Sequence, residues 1–263
     1  MIQSASLKPL SGLRVLVTRP IEQAQSLSER LRELGATTIE LPTIQVIPAQ
    51  NNDALDHALR RLSEYDWVIF TSVHGVRFLM KRMADLKISS KVLKGVMLAA
   101  IGPATASEME RTVKKPDFVP NEYLSEKIAD GLGNVKGKRI LLPRADIASK
   151  NLPELLRRRE ALVEDVVAYQ TIVPPDLTPE RVNSIFMRGI DLITFTSPST
   201  VRNLAQVMGG DRLEQFLSKV KVACIGPVTV EATKELGIGV NIVAEVHTID
   251  DLVEAIVDEI GTV

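Results

Sequence analysis

The chain has 263 residues, 45% of them hydrophobic, which is enough for two domains of ordinary size that each bury an apolar core. Its 32 basic and 33 acidic side chains give a formal net charge of −1, which excludes a global field that would recruit nucleic acid or an acidic membrane surface. One cysteine excludes an internal disulfide, and three scattered histidines lack the spacing of metal ligands, so we expect no metal.

The start of the chain, residues 1–4, lacks the charged and apolar regions of a signal peptide. No apolar run approaches the length that spans a bilayer. We therefore expect a cytoplasmic protein that makes no membrane contact.

Short apolar runs alternate with helical patterns along the chain. Val15-Leu16-Val17 predicts a strand, and the spacing of Ala24, Leu27, Leu31 and Leu34 predicts a helix that ends at Gly35. Further strands, each followed by an amphipathic stretch, are predicted at 67–71, 96–101, 139–142, 191–195 and 220–225. Repeated strand-helix units imply parallel sheets covered on both faces, so the predicted fold class is α/β, doubly wound, twice.

The sequence contains an internal duplication, because three strings recur in the same order at an offset of 124 or 125 residues. The recurring strings are RVLVTR at 14–19 with RILLPR at 139–144, DWVIFTS at 66–72 with DLITFTS at 191–197, and AIGPAT at 100–105 with CIGPVT at 224–229. Weaker matches, such as the segments that begin at Tyr123 and His247, extend the repeat over most of the chain. The function is therefore expected to need two similar halves.

Two extended segments, 41–48 and 166–174, occupy equivalent positions of the repeat and end in proline. Because proline disfavours a central strand, we interpret them as edge or free-standing strands that form a two-stranded connector. If they pair, the chain crosses between domains twice, which gives a discontinuous domain of 1–40 with 175–263 and an inserted domain of 49–165. The alternative is two tandem domains divided near residue 136.

The repeated motifs fall at the carboxyl ends of predicted strands, where open parallel sheets bind ligands. Helix N-termini there present free N–H groups and a partial positive charge, and short hydroxyl residues and glycines suit an anion site. The candidate binding residues are Thr71, Ser72, Gly102, Thr105, Thr196, Ser197, Ser199, Gly226 and Thr229. Helix capping is the alternative for each residue, and recurrence in both copies favours a shared site.

Three larger side chains are further candidates. Arg19 and Arg144 occupy the same repeat position, and a guanidinium binds carboxylate or phosphate in bidentate fashion. A surface ion pair is the alternative for either arginine. Tyr169 lies in a predicted connector segment beside an expected interdomain cleft, where its phenol could donate a hydrogen bond or a proton or pack beneath the linker.

Several catalytic motifs are missing from the sequence: GxGxxG after a strand, GxxxxGK[ST] and GxSxG. His74 lies near Ser72, but its counterpart in the second copy is Ser199 and no acidic residue is placed to orient it, so it is assigned no role. Cys224 lies in an apolar strand pattern and is interpreted as a buried strand residue.

At these residues the chain resembles the uroporphyrinogen-III synthase family, over nearly its whole length. The resemblance rests on the order and spacing of motifs, which are VTRP at 17–20, Gln23-Ala24, Leu-Gly at 34–35, IFTS at 69–72, IGPAT at 101–105, Ala168-Tyr169-Gln170-Thr171, FTSPS at 195–199 and IGPVT at 225–229. Val228 departs from the pattern, because many relatives carry a second hydroxyl residue beside the threonine that Thr229 matches.

The resemblance implies two flavodoxin-like domains joined by a two-stranded connector. It implies an enzyme that takes the linear tetrapyrrole hydroxymethylbilane, removes its terminal hydroxyl as water and closes the ring with inversion of the last pyrrole, giving uroporphyrinogen III. The family needs no metal or organic cofactor, and its precedent is a monomer, with possible transient contact to the preceding pathway enzyme. By resemblance Tyr169 is the best candidate for the general acid.

Two other classes of protein would fit some of these features. A non-catalytic, two-lobed cytosolic binding protein for a small anion predicts the same fold and the same lack of cofactor motifs. A nucleotide-dependent transferase would require a phosphate-binding loop that the sequence lacks.

Overall fold

The computed structural model describes residues 8–261. The expectation that the chain lacks a signal peptide concerns residues 1–4, which lie outside the described residues. Within the described residues no helix is both long and apolar enough to cross a membrane.

The strands of residues 8–261 are, in chain order, β1 (Arg14–Val17), β2 (Thr37–Glu40), β3 (Gln45–Pro48), β4 (Trp67–Phe70), β5 (Met97–Ala100), β6 (Arg139–Ala145), β7 (Leu162–Ile172), β8 (Leu192–Phe195), β9 (Lys221–Cys224) and β10 (Ile242–Val243). All of the strands that the apolar runs predict are therefore confirmed.

The α-helices of the same residues are α1 (Ile21–Glu33), α2 (Asp53–Arg60), α3 (Val73–Asp85), α4 (Pro103–Thr112), α5 (Ser125–Gly131), α6 (Asn151–Arg158), α7 (Pro179–Met187), α8 (Pro198–Met208), α9 (Gly210–Leu217), α10 (Pro227–Lys234) and α11 (Ile249–Ile260). Helix α1 buries Ala24, Leu27 and Leu31, as the predicted apolar stripe requires. Gly35 follows the helix with φ at +100°, a conformation that glycine adopts without steric cost.

The chain divides into two compact units. Unit 1 is Met1–Gln45 with Ile172–Val263, and unit 2 is Val46–Thr171. The described strands form two five-stranded sheets, in the orders β10-β9-β8-β1-β2 and β3-β7-β6-β4-β5. The pairs β10–β9, β9–β8, β8–β1 and β1–β2 are parallel, and so are β7–β6, β6–β4 and β4–β5. The α/β class with two parallel-dominated sheets is confirmed.

The second extended segment differs from its prediction. Strand β7 lies between β3 and β6, so it is an inner strand and not an edge or free-standing one. Pro174 comes after the strand ends at Ile172, so the proline removes no donor from the ladder. Strand β3 does lie at a sheet edge, and Pro48 is its last residue.

Each sheet is covered on both faces, and alternate strand residues supply the two sides. In unit 1, Leu16 packs with residues of α7, α8 and α9, while Val15 and Val17 pack with residues of α1 and α11. In unit 2, Phe70 packs with residues of α2 and α3, and Ile69 packs with residues of α5 and α6. This alternation follows from the two-residue period of a strand and gives each unit a doubly wound core.

A repeated aspartate fixes neighbouring strands at their amino ends. Asp66 accepts a hydrogen bond from the backbone N–H of Arg139 at 2.8 Å, and Asp191 accepts one from the N–H of Arg14 at 2.8 Å. These two aspartates lie at the opposite end of the strands from the candidate site, as the sequence predicts. These aspartates therefore do not contribute to the candidate site, which lies in the loops at the carboxyl ends of the strands.

Candidate functional site

In unit 1 the predicted residues follow three adjacent strands. Arg19 comes after β1, Ser197 after β8 and Gly226 after β9, and β9-β8-β1 are neighbours in one parallel sheet. Since the carboxyl ends of parallel strands share one edge, the unit gathers these groups along that edge.

In unit 2 the predicted residues lie on four adjacent strands. Tyr169 and Arg144 lie near the carboxyl ends of β7 and β6, Ser72 follows β4, and Gly102 follows β5. Because β7-β6-β4-β5 are consecutive in the sheet and parallel, they share its carboxyl edge as well. Each unit thus brings its predicted residues together.

The serines at both edges cap helices. Ser72 precedes α3, and its Oγ accepts a hydrogen bond from the N–H of Gly75 at 2.9 Å. Ser197 precedes α8, and its Oγ accepts from the N–H of Thr200 at 3.4 Å and lies 3.1 Å from Oγ of Ser199. Capping uses only the acceptor side of a hydroxyl, so each O–H is left to donate, either to the neighbouring hydroxyl of Tyr169 or Ser199 or to an anion. The half-buried Thr71 and Thr196 directly precede these two serines.

The glycine motifs also start helices. Gly102 is the N-cap of α4 and Gly226 is the N-cap of α10, each followed by a proline at the first helical position. Thr105 and Thr229 are buried in the first turns, at 4% and 3% exposure. Their burial separates them from the half-buried hydroxyls that follow β4 and β8.

A ring side chain lies over each glycine, and sequence reasoning did not assign either ring a role. A Cβ at Gly102 would lie 3.3 Å from Cγ of Tyr123, and a Cβ at Gly226 would lie 2.5 Å from Cδ2 of His247. Tyr123 and His247 are equivalent in the repeat, so the matching offset is the signal that could have identified them. Because glycine has no Cβ, the rings of Tyr123 and His247 can lie directly against the backbone at these positions.

Tyr169 is the centre of a small aromatic cluster in unit 2. Its hydroxyl lies 2.8 Å from Oγ of Ser72, and the residue is 7% exposed. Its ring stacks on Phe78 with centroids 5.5 Å apart and contacts the tilted ring of His74 at 5.8 Å. Burial raises the pKa of Tyr169, and the hydrogen bond with Ser72 offsets only part of this effect. The phenol is therefore a neutral donor near pH 7, and His74 is one of the groups that hold its ring.

The two predicted arginines differ in their surroundings. Arg144 is 4% exposed and forms a bidentate ion pair with Asp165, with Nε–Oδ1 at 2.9 Å and Nη2–Oδ2 at 2.8 Å. Burial is the largest influence on Asp165 and opposes its ionisation, but the hydrogen bonds and charges of Arg144 and Lys150 together outweigh burial and lower the pKa of this carboxyl. Arg19 is half-buried and donates from Nη2 to the amide oxygen of Gln23 at 2.9 Å. Burial lowers the pKa of Arg19, and no carboxylate among residues 8–261 forms an ion pair with it.

The predicted cysteine interpretation is confirmed, because Cys224 is fully buried in β9 and burial raises the pKa of its thiol to about 12. The described residues hold no group of three or more histidine, cysteine, aspartate or glutamate side chains arranged to hold a metal ion.

The fold and the two edges define a duplicated α/β protein with helix N-termini, hydroxyls and arginine available for an anionic ligand. The family model described as "Uroporphyrinogen-III synthase HemD" matches residues 25–254, which include motifs of both copies. The chain belongs to the uroporphyrinogen-III synthase family. Members of this family are cyclising lyases.

Individual proteins agree with this family. The chain is 30% identical to the uroporphyrinogen-III synthase of Synechococcus elongatus, over 95% of the chain and 96% of that protein. It is 32% identical to the porphyrin biosynthesis protein HemD of Ruminiclostridium josui over 97% of the chain, but it spans only 50% of that relative's length. A mutant uroporphyrinogen III synthase of Thermus thermophilus has the same fold, with a TM-score of 0.63 at 20% identity, over 93% of this chain and 97% of that one.

Proposed function

We propose that the chain acts as a uroporphyrinogen-III synthase. It cyclises hydroxymethylbilane in tetrapyrrole biosynthesis, inverts the terminal pyrrole ring and releases one molecule of water, giving uroporphyrinogen III. The observation that carries this proposal is the family match across residues 25–254. Family membership does not favour the alternative of a non-catalytic binding protein.

The strand-end groups suit a substrate that carries acetate and propionate side chains. Backbone N–H groups at helix N-termini and the O–H groups of serine and threonine donate hydrogen bonds to carboxylates. We assign substrate binding to Arg19, Thr71, Ser72, Gly102, Thr105, Thr196, Ser197, Ser199, Gly226 and Thr229. Arg144 was predicted with them, but its ion pair with Asp165 supports a role in holding β6 against β7.

Tyr169 is the proposed general acid. When the terminal hydroxyl leaves as water, it needs a proton, and a neutral phenol held by Ser72 can supply it. Because burial raises the pKa of Tyr169, the phenol is a weak acid whose contribution to the rate is modest. Most of the catalysis then comes from holding the flexible chain in the conformation that leads to the inverted ring.

We propose that 41–48 and 166–174 form the connector between a domain of 1–40 with 175–263 and an inserted domain of 49–165, both flavodoxin-like. Both segments contain a division between the compact units, at Gln45/Val46 and at Thr171/Ile172, which supports their place between the domains, while β3 and β7 belong to the sheet of unit 2. A cytoplasmic location, a monomeric state and transient contact with the preceding pathway enzyme stay predictions.

The decisive experiment supplies the protein with hydroxymethylbilane as a preceding enzyme generates it, then oxidises the products and separates the type I and type III isomers. Hydroxymethylbilane closes without assistance to the uninverted type I ring, so type III isomer in excess over a protein-free control is the expected result. Formation of type I isomer alone would refute the function.

A further inference from the structure

The duplication places residues of the same charge at equivalent positions of the two sheets. Arg19 and Arg144 are equivalent, and so are Glu40 and Asp165 on the neighbouring strands. The strand registers agree, because Val17 pairs with Glu40 in unit 1 and the equivalent Leu142 pairs with Asp165 in unit 2. A third position is also matched, since Arg32 in the last turn of α1 is equivalent to Arg157 in the last turn of α6.

The acidic residue forms an ion pair with a different arginine in each unit. In unit 2, Asp165 binds the strand-end Arg144 through both carboxylate oxygens, and Arg157 donates to the carbonyl of Val163 at 3.3 Å. In unit 1, Glu40 instead binds the helix-end arginine, with Nη2 of Arg32 at 3.1 Å.

This exchange leaves the strand-end arginine of unit 1 without a counter-charge among the described residues. The Nε–Nη2 edge, which binds a carboxylate in Arg144, carries in Arg19 only the neutral amide oxygen of Gln23 on Nη2. The Nε atom of Arg19 is buried and has no hydrogen-bond partner among residues 8–261. A buried N–H donor without an acceptor is costly, and a guanidinium edge of this kind fits one carboxylate.

Arg144 has no such free edge. Its Nε and Nη2 bind Asp165, and its Nη1 donates to the carbonyl oxygen of Ser149 at 2.6 Å. Lys150 adds a second cation at 3.2 Å from Asp165, so this carboxylate is held by two cations of unit 2.

We propose that the duplicated arginines have diverged, so that Arg19 binds a carboxylate of the substrate while Arg144 is a structural residue. The proposal rests on the proposed function, because it names the group that binds an acetate or propionate of hydroxymethylbilane. Binding would replace the amide oxygen of Gln23 by a carboxylate on the Nε–Nη2 edge of Arg19.

The test compares steady-state kinetics of purified variants on enzymatically generated hydroxymethylbilane, with thermal unfolding measured on the same samples. Arg19→Met is expected to raise KM roughly 10- to 100-fold, the loss of one hydrogen-bonded charge, without lowering the unfolding temperature. Arg19→Lys should recover part of the affinity, because it keeps the charge but not the fork. Arg212→Met, which removes an exposed arginine on α9 of the same unit, is the matched control and should leave KM unchanged.

Gln23→Glu gives an independent arm, because it places a carboxylate on the same edge without removing the arginine. It should raise KM, as Arg19→Met does, while raising the unfolding temperature.

In unit 2, Arg144→Met should lower the unfolding temperature, and Arg144→Met/Asp165→Leu should restore it with KM within about twofold of wild type. An unchanged KM in Arg19→Met would overturn the proposal. A raised KM in Arg144→Met/Asp165→Leu with a restored unfolding temperature would overturn it as well. Failure of the wild-type protein to form the type III isomer would instead refute the proposed function, so the two failures are distinguishable.

Discussion

The phenol of Tyr169 is the group whose removal tests the catalytic assignment most directly. Tyr169→Phe deletes one hydroxyl and leaves the ring contacts with Phe78 and His74 in place. The lost hydrogen bond to Ser72 is worth about 0.5–1.5 kcal/mol of unfolding free energy. Because Oγ of Ser72 still accepts the N–H of Gly75, it is not left without a partner, and the cost should fall at the lower end of that range.

The expected effect on catalysis is larger than the effect on stability. General acids commonly contribute about 100-fold or more, but the raised pKa of Tyr169 and the readily lost hydroxyl of the substrate reduce this to roughly 10-fold. We therefore expect Tyr169→Phe to lower kcat about 10-fold with a nearly unchanged KM. The assay follows the type III isomer after oxidation, and urea unfolding confirms that the variant is folded.

Two controls separate proton donation from packing. Tyr65→Phe removes the hydroxyl of another buried tyrosine of unit 2, which donates to Glu164 and precedes β4, away from the carboxyl edge. It should affect stability and leave kcat unchanged. Ser72→Ala removes the same hydrogen bond but keeps the phenol, so it should lower kcat less than Tyr169→Phe, and because Ser72 is also assigned to substrate binding it should raise KM. A wild-type kcat in Tyr169→Phe would refute the catalytic role of the phenol. Complete loss of activity in a folded Tyr169→Phe variant would refute the expectation that its contribution is modest.

Further predictions concern packing and charge. Gly75→Ala should destabilise the protein in urea unfolding because its Cβ would lie 2.9 Å from the backbone carbonyl oxygen of Pro143, which cannot turn aside as a side chain can, and an unchanged stability would contradict this close contact. The lowered pKa of Asp165 means that its carboxylate stabilises the fold above the unfolded-state pKa of about 3.9 and that this stabilisation is lost as pH falls through the folded-state value. The stability difference between wild type and Asp165→Asn should therefore be largest near about pH 7 and shrink toward about pH 3, and a constant difference would contradict the pairing with Arg144. Glu108→Gln removes a carboxylate of α4 that binds Arg77 of α3 and Arg111 of its own helix. It should cost about 1–2 kcal/mol of unfolding free energy by the same measurement, and an unaltered stability would contradict the structural role of these ion pairs.

The parts of the fold that depend on local pattern could be predicted from the sequence. The run Val15-Leu16-Val17 predicts β1, and Gly35 marks the end of α1, because both signals lie within a few residues of the structure that they determine. The repeat also predicts that Ser72 and Ser197 lie at equivalent strand ends, and the structure places both at helix N-caps.

The parts that depend on strand register could not be predicted in the same way. Asp165 lies opposite Leu142 only because β7 pairs with β6 in one register, so its capture of Arg144 is visible only in the folded chain. The inner position of β7 is a similar case. A proline near the end of an apolar segment suggests an edge strand, but whether Pro174 falls inside or beyond the ladder depends on where pairing stops.

The duplication explains why similar edges can have different roles. The position of Tyr169 is occupied in the first copy by the buried Ile44, so unit 1 has no phenol at that repeat position. Conversely, unit 2 neutralises Arg144, while unit 1 leaves Arg19 without an ion-pair partner among the described residues. The two differences are complementary. In unit 2, which carries the candidate acid, the arginine is bound in an ion pair, whereas in unit 1, which has no phenol at that position, the arginine is not. Under the two proposals, unit 2 supplies proton donation through Tyr169 and unit 1 supplies arginine-mediated carboxylate binding through Arg19, so the Tyr169 variants should act on kcat and the Arg19 variants on KM.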